Sequence, residues 1–158
     1  VEQVQYLKKE SWLKQKAEIQ KMLESWLDSW REEKLNEYIS HYSPNLFYSP
    51  NKGRIKNYKI YKKAVFSSPG RPDISLKNLS IFTQGDYAQL TFGQYYKSNK
   101  INDVGKKVMF IGQDSKYQWK IVSERWQRLS SPSFVHKNNN KISTEIFRPT
   151  MRFFSPGE

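Results

Sequence analysis

Between Ala88 and Glu124 the side chains alternate in the way a pleated strand requires. Ala88, Leu90, Phe92, Gln94 and Tyr96 fall on one face, because successive side chains of a strand point to opposite sides. Lys107, Met109 and Ile111 form a second series, and Lys120, Val122 and Glu124 a third. A hairpin centred on Asn99–Lys100–Ile101–Asn102 predicts Gln94 opposite Lys107, and a turn at Ser115–Lys116 predicts Lys107 opposite Glu124. The run Gly112–Lys116 also has room for a longer loop, and a slip of one residue there would turn Glu124 to the other face. Inner strands seldom carry such a polar row for packing alone, so Gln94, Lys107 and Glu124 are candidates for a binding surface.

The segments before this meander read as helices. Ile19, Met22, Leu23, Trp26, Leu27 and Trp30 recur at the 3.6-residue period. The pattern slips at Arg31-Glu32-Glu33-Lys34, resumes with Leu35, Tyr38, Ile39 and Tyr42, and stops before Pro44, which fits two angled helices or one bent helix. A turn signal, SPNKG, precedes a short amphipathic helix over Tyr58–Phe66, and Ile74–Thr83 reads as a further strand. Three helical pieces followed by a four-stranded antiparallel meander make an α+β pattern, with the sheet curling round the helices into an open-mouthed cone. Residues 1–17 read as the tail of a linker helix, 18–129 as the domain, and 130–158, polar and turn-rich with two prolines near its end, as a C-terminal extension. The opening VEQVQYLKKE carries no signal-peptide pattern, which suggests a mature form or an excised domain.

The charge balance narrows the partners. Lys and Arg number 27 against 15 Asp and Glu, a net charge of +12, which favours polyanions: nucleic acid, anionic lipid or a carboxylate-rich wall polymer. A lysine-rich surface without a partner gives the same count. The chain has no cysteine, which excludes disulfides, thiolate metal sites and thiol nucleophiles. There is no phosphate-binding glycine loop, no zinc-protease helix motif and no nucleophile elbow, so no cofactor is expected. The two histidines, His41 and His136, lie far apart, and no metal site is expected.

This order of elements resembles the nuclear transport factor 2-like cone fold, and more closely the accessory domain that follows the catalytic domain in L,D-transpeptidase-family proteins of Gram-negative bacteria. The residues that carry the resemblance are Trp26-x3-Trp30, Tyr38-x3-Tyr42, Phe47 and Tyr61-Lys62. With them go Gln94-x-Tyr96-x-Ser98-x4-Asp103-x-Gly105-x-Lys107 and Trp119-Lys120-Ile121-x2-Glu124, over about residues 18–126. The resemblance implies a periplasmic domain that is not itself the enzyme, binds peptidoglycan, and directs a partner catalytic domain in the same parent chain. That partner's catalytic cysteine has no counterpart here.

On this reading the ligand-binding residues are Lys107, Glu124, Gln94, Tyr96 and Lys62. Lys107 would pair with a stem-peptide carboxylate, and Glu124 would accept from amide or amino groups. Gln94 and Tyr96 would orient the ligand, and Lys62 would add a second anion contact, with Lys59 and Lys63 as neighbours able to do the same. The bland readings are a cross-strand ion pair, a polar rim and solvated helix lysines. Asp103 suits a turn or bulge, and Gly105 opposite Tyr96 leaves room for its ring. Trp26, Trp30, Trp119 and Trp126 are expected in the core, with Tyr58, Tyr61 or Tyr95 at the mouth. Three rival functions stay open. One is a cone-fold isomerase or dehydratase using Asp28, His41 or Glu124 beside a tyrosine. Another is a protein-docking or dimerisation module, and the last is nucleic-acid binding, for which no motif is present.

Overall fold

A computed structural model describes residues 2–68, 70–99, 101–129 and 149–151, with side chains from Glu10 to Leu129 within those ranges. Helix α1 (Glu2–Arg31) runs unbroken through the 17/18 boundary, and Trp12, ahead of it, is buried in the core. The helix ends where its apolar period slips. Glu33 takes a left-handed φ of 56°, and the amides of Glu33 and Lys34 cap the carbonyls of Trp30 and Ser29. Helix α2 (Leu35–Ser40) follows at once, so the break yields two helices.

Strands β1 (Tyr48–Ser49) and β2 (Gly53–Arg54) form a small hairpin at the SPNKG turn, and α3 (Ile55–Phe66) starts directly after it. The meander is β3 (Asp73–Gln84), β4 (Tyr87–Lys97), β5 (Asn102–Gln113) and β6 (Trp119–Arg128), and β7 (Pro149–Met151) comes last. The sheet order is β2-β1-β6-β5-β4-β3-β7. The four long strands pair antiparallel, as their alternation predicts, whereas β1 joins β6 and β7 joins β3 in parallel, so the sheet is mixed. The only part of residues 130–158 described is β7; the rest, including His136, lies outside the described residues.

The register differs from the sequence expectation by two residues in the β4–β5 hairpin, and in the β5–β6 hairpin by one residue next to the turn and by two beyond a bulge. Lys107 stands opposite Phe92 and Trp126, Gln94 opposite Gly105, Tyr96 opposite Asp103, and Glu124 opposite Met109. At the polar residues the offset is even, which keeps each of them on its face, so the polar row survives as a staggered cluster instead of a straight line. The expected third series is corrected in part. Trp119 and Ile121 point inward, a bulge at Val122 breaks the pairing between Phe110 and Ile111, and Glu124 then also points inward.

The core lies between α1, α2 and the concave face of the sheet. Ile19, Leu23, Trp26 and Leu27 from α1 meet Leu76, Ile81, Leu90, Phe92, Met109 and Ile121 from the strands. Fully burying each such side chain contributes about 1.5–3 kcal/mol, which anchors the helices over one end of the cone and leaves the other end open.

Candidate functional site

The open end is a cavity of about 720 Å³ between α3, the β1–β2 turn and the ends of β4, β5 and β6. All five residues singled out in the sequence line it: Lys62, Gln94, Tyr96, Lys107 and Glu124. Four of them are more than nine-tenths buried, with Lys62 6%, Gln94 4%, Lys107 5% and Glu124 6% exposed. Lys59 and Lys63 are exposed on the other faces of α3.

Glu124 forms the floor. Its Oε1 accepts from the Tyr42 hydroxyl at 2.5 Å, and its Oε2 accepts from the Tyr58 hydroxyl at 3.2 Å and from Lys107 Nζ at 3.4 Å. Behind it the hydroxyl of Tyr38 lies 2.8 Å from Tyr42 and 2.9 Å from Tyr58, and Trp26 Nε1 donates to the Tyr42 oxygen at 3.0 Å. One proton assignment satisfies the set: Tyr42 and Tyr58 each donate to Glu124, and Tyr38 donates to one of them. Burial, and then the charge of Glu124, push all three phenols well above the usual tyrosine range, so they stay neutral donors. The chain positions this group through the backbone. Ser43 N donates to Ile121 O and Ile121 N to His41 O, both at 2.8 Å, which pins Tyr42 beside the bulge that turns Glu124 inward.

Lys62 sits differently. Its ammonium lies 4.3 Å from the centre of the Trp30 ring and 5.3 Å from that of Tyr38, with Tyr58 and Tyr61 slightly farther. Burial, aided by the nearby Lys107 charge, pulls its pKa down from the ordinary lysine value to about 7. Lys107 Nζ also stands over Trp30, at 5.3 Å. Tyr96 stacks on Trp30 with ring centres 5.8 Å apart.

Several expectations need correcting. Trp26, Trp30 and Trp119 are buried, but Trp126 is half-buried and lines the cavity. Tyr61 lies at the mouth with Lys52 Nζ 3.8 Å above its ring, and Tyr58 is tied to Glu124. Tyr95 lies on the opposite face from Gln94, against Val104. Asp103 is a strand residue paired with Arg128 at 3.0 Å. At Gly105 the missing Cβ makes room for Trp126, not for Tyr96, since a methyl there would come 2.6 Å from the Trp126 ring. Asp28 is exposed beside Arg31, and His41 lies 2.9 Å from Ser25 Oγ, so of the three acid–base candidates Glu124 alone lines the cavity.

The sequence reading did not assign Tyr42 and Tyr58 to Glu124, and it did not place Trp30, Lys52, Arg125 or Trp126 in the pocket wall. The Tyr38-x3-Tyr42 spacing, one helical turn, was the available signal for the first. Among the described residues no three His, Cys, Asp or Glu side chains are gathered as a metal site, and no helix is long and apolar enough to cross a membrane.

The fold recurs in known proteins. The structure of Bd1075 from Bdellovibrio bacteriovorus superposes with a TM-score of 0.66 at 24% identity, over 72% of this chain and 40% of that one. The helical cell shape determining protein Pgp2 from Campylobacter jejuni gives a TM-score of 0.60 at 22% identity, over 66% of this chain and 38% of that one. This chain therefore spans about two-fifths of either protein. A ketosteroid isomerase-like protein from Erwinia carotovora atroseptica gives a TM-score of 0.58 at 11% identity, over 73% of this chain and 96% of that one. The fold thus occurs in enzymes and in non-enzymes. Among curated protein sequences none matches. The family model of the Cds6 C-terminal NTF2-like domain matches residues 18–125, from the first apolar turn of the core helix to the residue after Glu124, and the chain belongs to that family.

Proposed function

We propose that this chain is a non-catalytic domain that binds peptidoglycan fragments in the periplasm of a Gram-negative bacterium and positions an L,D-transpeptidase-type catalytic domain of the same parent chain. The observation that carries the reading is the cavity's chemistry. Two buried lysines, a carboxylate and an amide converge on a floor walled by Trp30, Tyr61, Tyr96 and Trp126. Muropeptides offer complementary groups: carboxylates for the cations, amides for Gln94, and sugar rings for the aromatic walls. The shared fold of a protein that determines helical cell shape supports the assignment to wall chemistry.

Titration of the domain with defined muropeptides, followed by backbone amide NMR shifts, tests it. Shifts should centre on α3 and the 94–107 hairpin, and Lys107→Ala and Glu124→Gln should weaken them while the spectrum stays folded. Both variants binding like the wild type would remove this site, and no shifts in the wild type would remove the function.

A second reading rests on the 2.5 Å contact between Tyr42 and Glu124, an acid beside a tyrosine in a fold shared with a ketosteroid isomerase-like protein. A general base needs a free lone pair facing the substrate. Here Tyr42, Tyr58 and Lys107 all donate to Glu124, which favours a structural carboxylate over an acid–base catalyst. Deuterium exchange into a β-keto substrate, lost in Glu124→Gln, would reverse that preference.

A further inference from the structure

Both carboxylates that line the cavity have cationic partners, Glu124 in Lys107 and Asp103 in Arg128. Lys62 has none. Its ammonium makes no hydrogen bond or ion pair with any described residue, although the side chain is 6% exposed. Aromatic rings return only part of what an ammonium loses on leaving water. A second group is also unmatched: Gln94 Oε1 is buried and receives no donor. The same cavity thus holds a cation without an anion and an acceptor without an N–H.

One ligand end supplies both groups from neighbouring atoms. At the C-terminus of a peptide the carboxylate and the last amide N–H are attached to the same carbon. We propose that the pocket reads a free peptide C-terminus, with the α-carboxylate on Lys62 and the last amide N–H donated to Gln94 Oε1, while Lys107 stays with Glu124. This deepens the wall-binding reading and rests on it for the biological source of the peptide. It also reassigns the carboxylate contact, which the family resemblance assigns to Lys107. That lysine is held at 3.4 Å by Glu124, so an arriving anion finds Lys62 uncommitted. Selectivity follows from the empty seat. Amidating the ligand removes the charge and leaves Lys62 buried and unpaired, an arrangement that typically costs thirty-fold or more in affinity, by about 2–5 kcal/mol of truncation energy.

The test compares three probes by calorimetry and NMR: an N-acetylated dipeptide acid, its C-terminal amide, and a muropeptide with a free stem end. Each is offered to the wild type, to Lys62→Met and to Gln94→Leu. The acid should bind the wild type at least about thirty-fold tighter than the amide, Lys62→Met should abolish that difference, and Gln94→Leu should weaken both probes while preserving it. Equal binding of acid and amide to the wild type, or a difference that persists in Lys62→Met, overturns the proposal even if muropeptides bind. An acid preference without muropeptide binding keeps the proposal and removes the wall-binding function. No binding of any acid probe removes both.

Discussion

Replacing Lys62 by methionine should make the protein more stable while emptying its anion seat. The magnitude follows from the lysine's environment. Its pKa falls from 10.5 to about 7 in the folded state, chiefly through burial. At about 1.36 kcal/mol per pK unit, that shift corresponds to a penalty of about 5 kcal/mol for folding with the charge in place. The sign is that of a depressed base. Below pH 7 the lysine is charged in both states, so the penalty is full; it fades as pH rises from about 7 toward the unfolded value of 10.5. Methionine fills similar volume without the charge but loses the contact with Trp30, 4.3 Å away, worth up to about 2 kcal/mol. Lys62→Met should therefore gain about 3–5 kcal/mol at pH 6, or roughly 6–20 °C in Tm at a conversion of about 2–4 °C per kcal/mol. Urea unfolding at pH 6 and pH 9.5 measures it, and the gain should shrink by more than half at the higher pH. A variant no more stable than wild type at pH 6, or a gain independent of pH, would refute the account of Lys62 as a buried, unpaired cation.

Four further outcomes follow from the same geometry. Carboxylate binding should be flat below pH 7 and weaken by up to about tenfold per unit above it as Lys62 deprotonates, with Lys107, Lys52 and Glu124 the charged groups acting on it; titration calorimetry across pH 5.5–9 reads this. Tyr42→Phe removes a buried donor to Glu124 and should cost about 1–3 kcal/mol in urea unfolding. Gly105→Ala drives a methyl into the Trp126 ring and the Gln127 backbone, and should destabilise by about 1–3 kcal/mol and displace Trp126, visible as a change in tryptophan fluorescence. Trp126→Ala, at a half-buried wall position, should change stability by under about 1 kcal/mol yet weaken ligand binding measurably.

The legible parts of this fold were those set by periodicity, and the rest turned on single backbone features. Ile19 through Trp30 announced their helix face, and Ala88 through Gln94 their strand face, because burial selects residues at a fixed period. The first hairpin register was off by two residues and the second by one at its turn, since turn length is weakly encoded in NKIN and QDSK; the even slip preserves the face, the bulge offsets the odd one, and the site residues still converge. The last strand carried a conflict in plain sight. Trp119 and Ile121 ask for the core, and so does Glu124 if it is a site residue, but positions 121 and 124 cannot share a face of a regular strand. Only a bulge resolves this, and Val122 supplies it. The parallel additions of β1 and β7 had no local signal, because a two- or three-residue strand owes its pairing to what lies beside it.

The two lysines of the pocket show why residue type alone does not assign a role. Both are buried, both stand over Trp30, and both were candidates for the same carboxylate. What separates them is the bulge at Val122. By turning Glu124 inward it gives Lys107 a fixed partner and leaves Lys62, on a helix opposite, without one. If the bulge were absent, Glu124 would face the other side, Tyr42 and Tyr58 would lose their acceptor, and Lys107 would become the second unpaired cation. Removing the acceptor itself tests this: Glu124→Leu should destabilise the domain through the stranded tyrosines and Lys107, by more than the about 1–3 kcal/mol expected for one unsatisfied buried group. Glu124→Gln, which keeps an acceptor oxygen, should cost less under the same unfolding assay. If Glu124→Leu is as mild as Glu124→Gln, the inward carboxylate does not hold the pocket floor together.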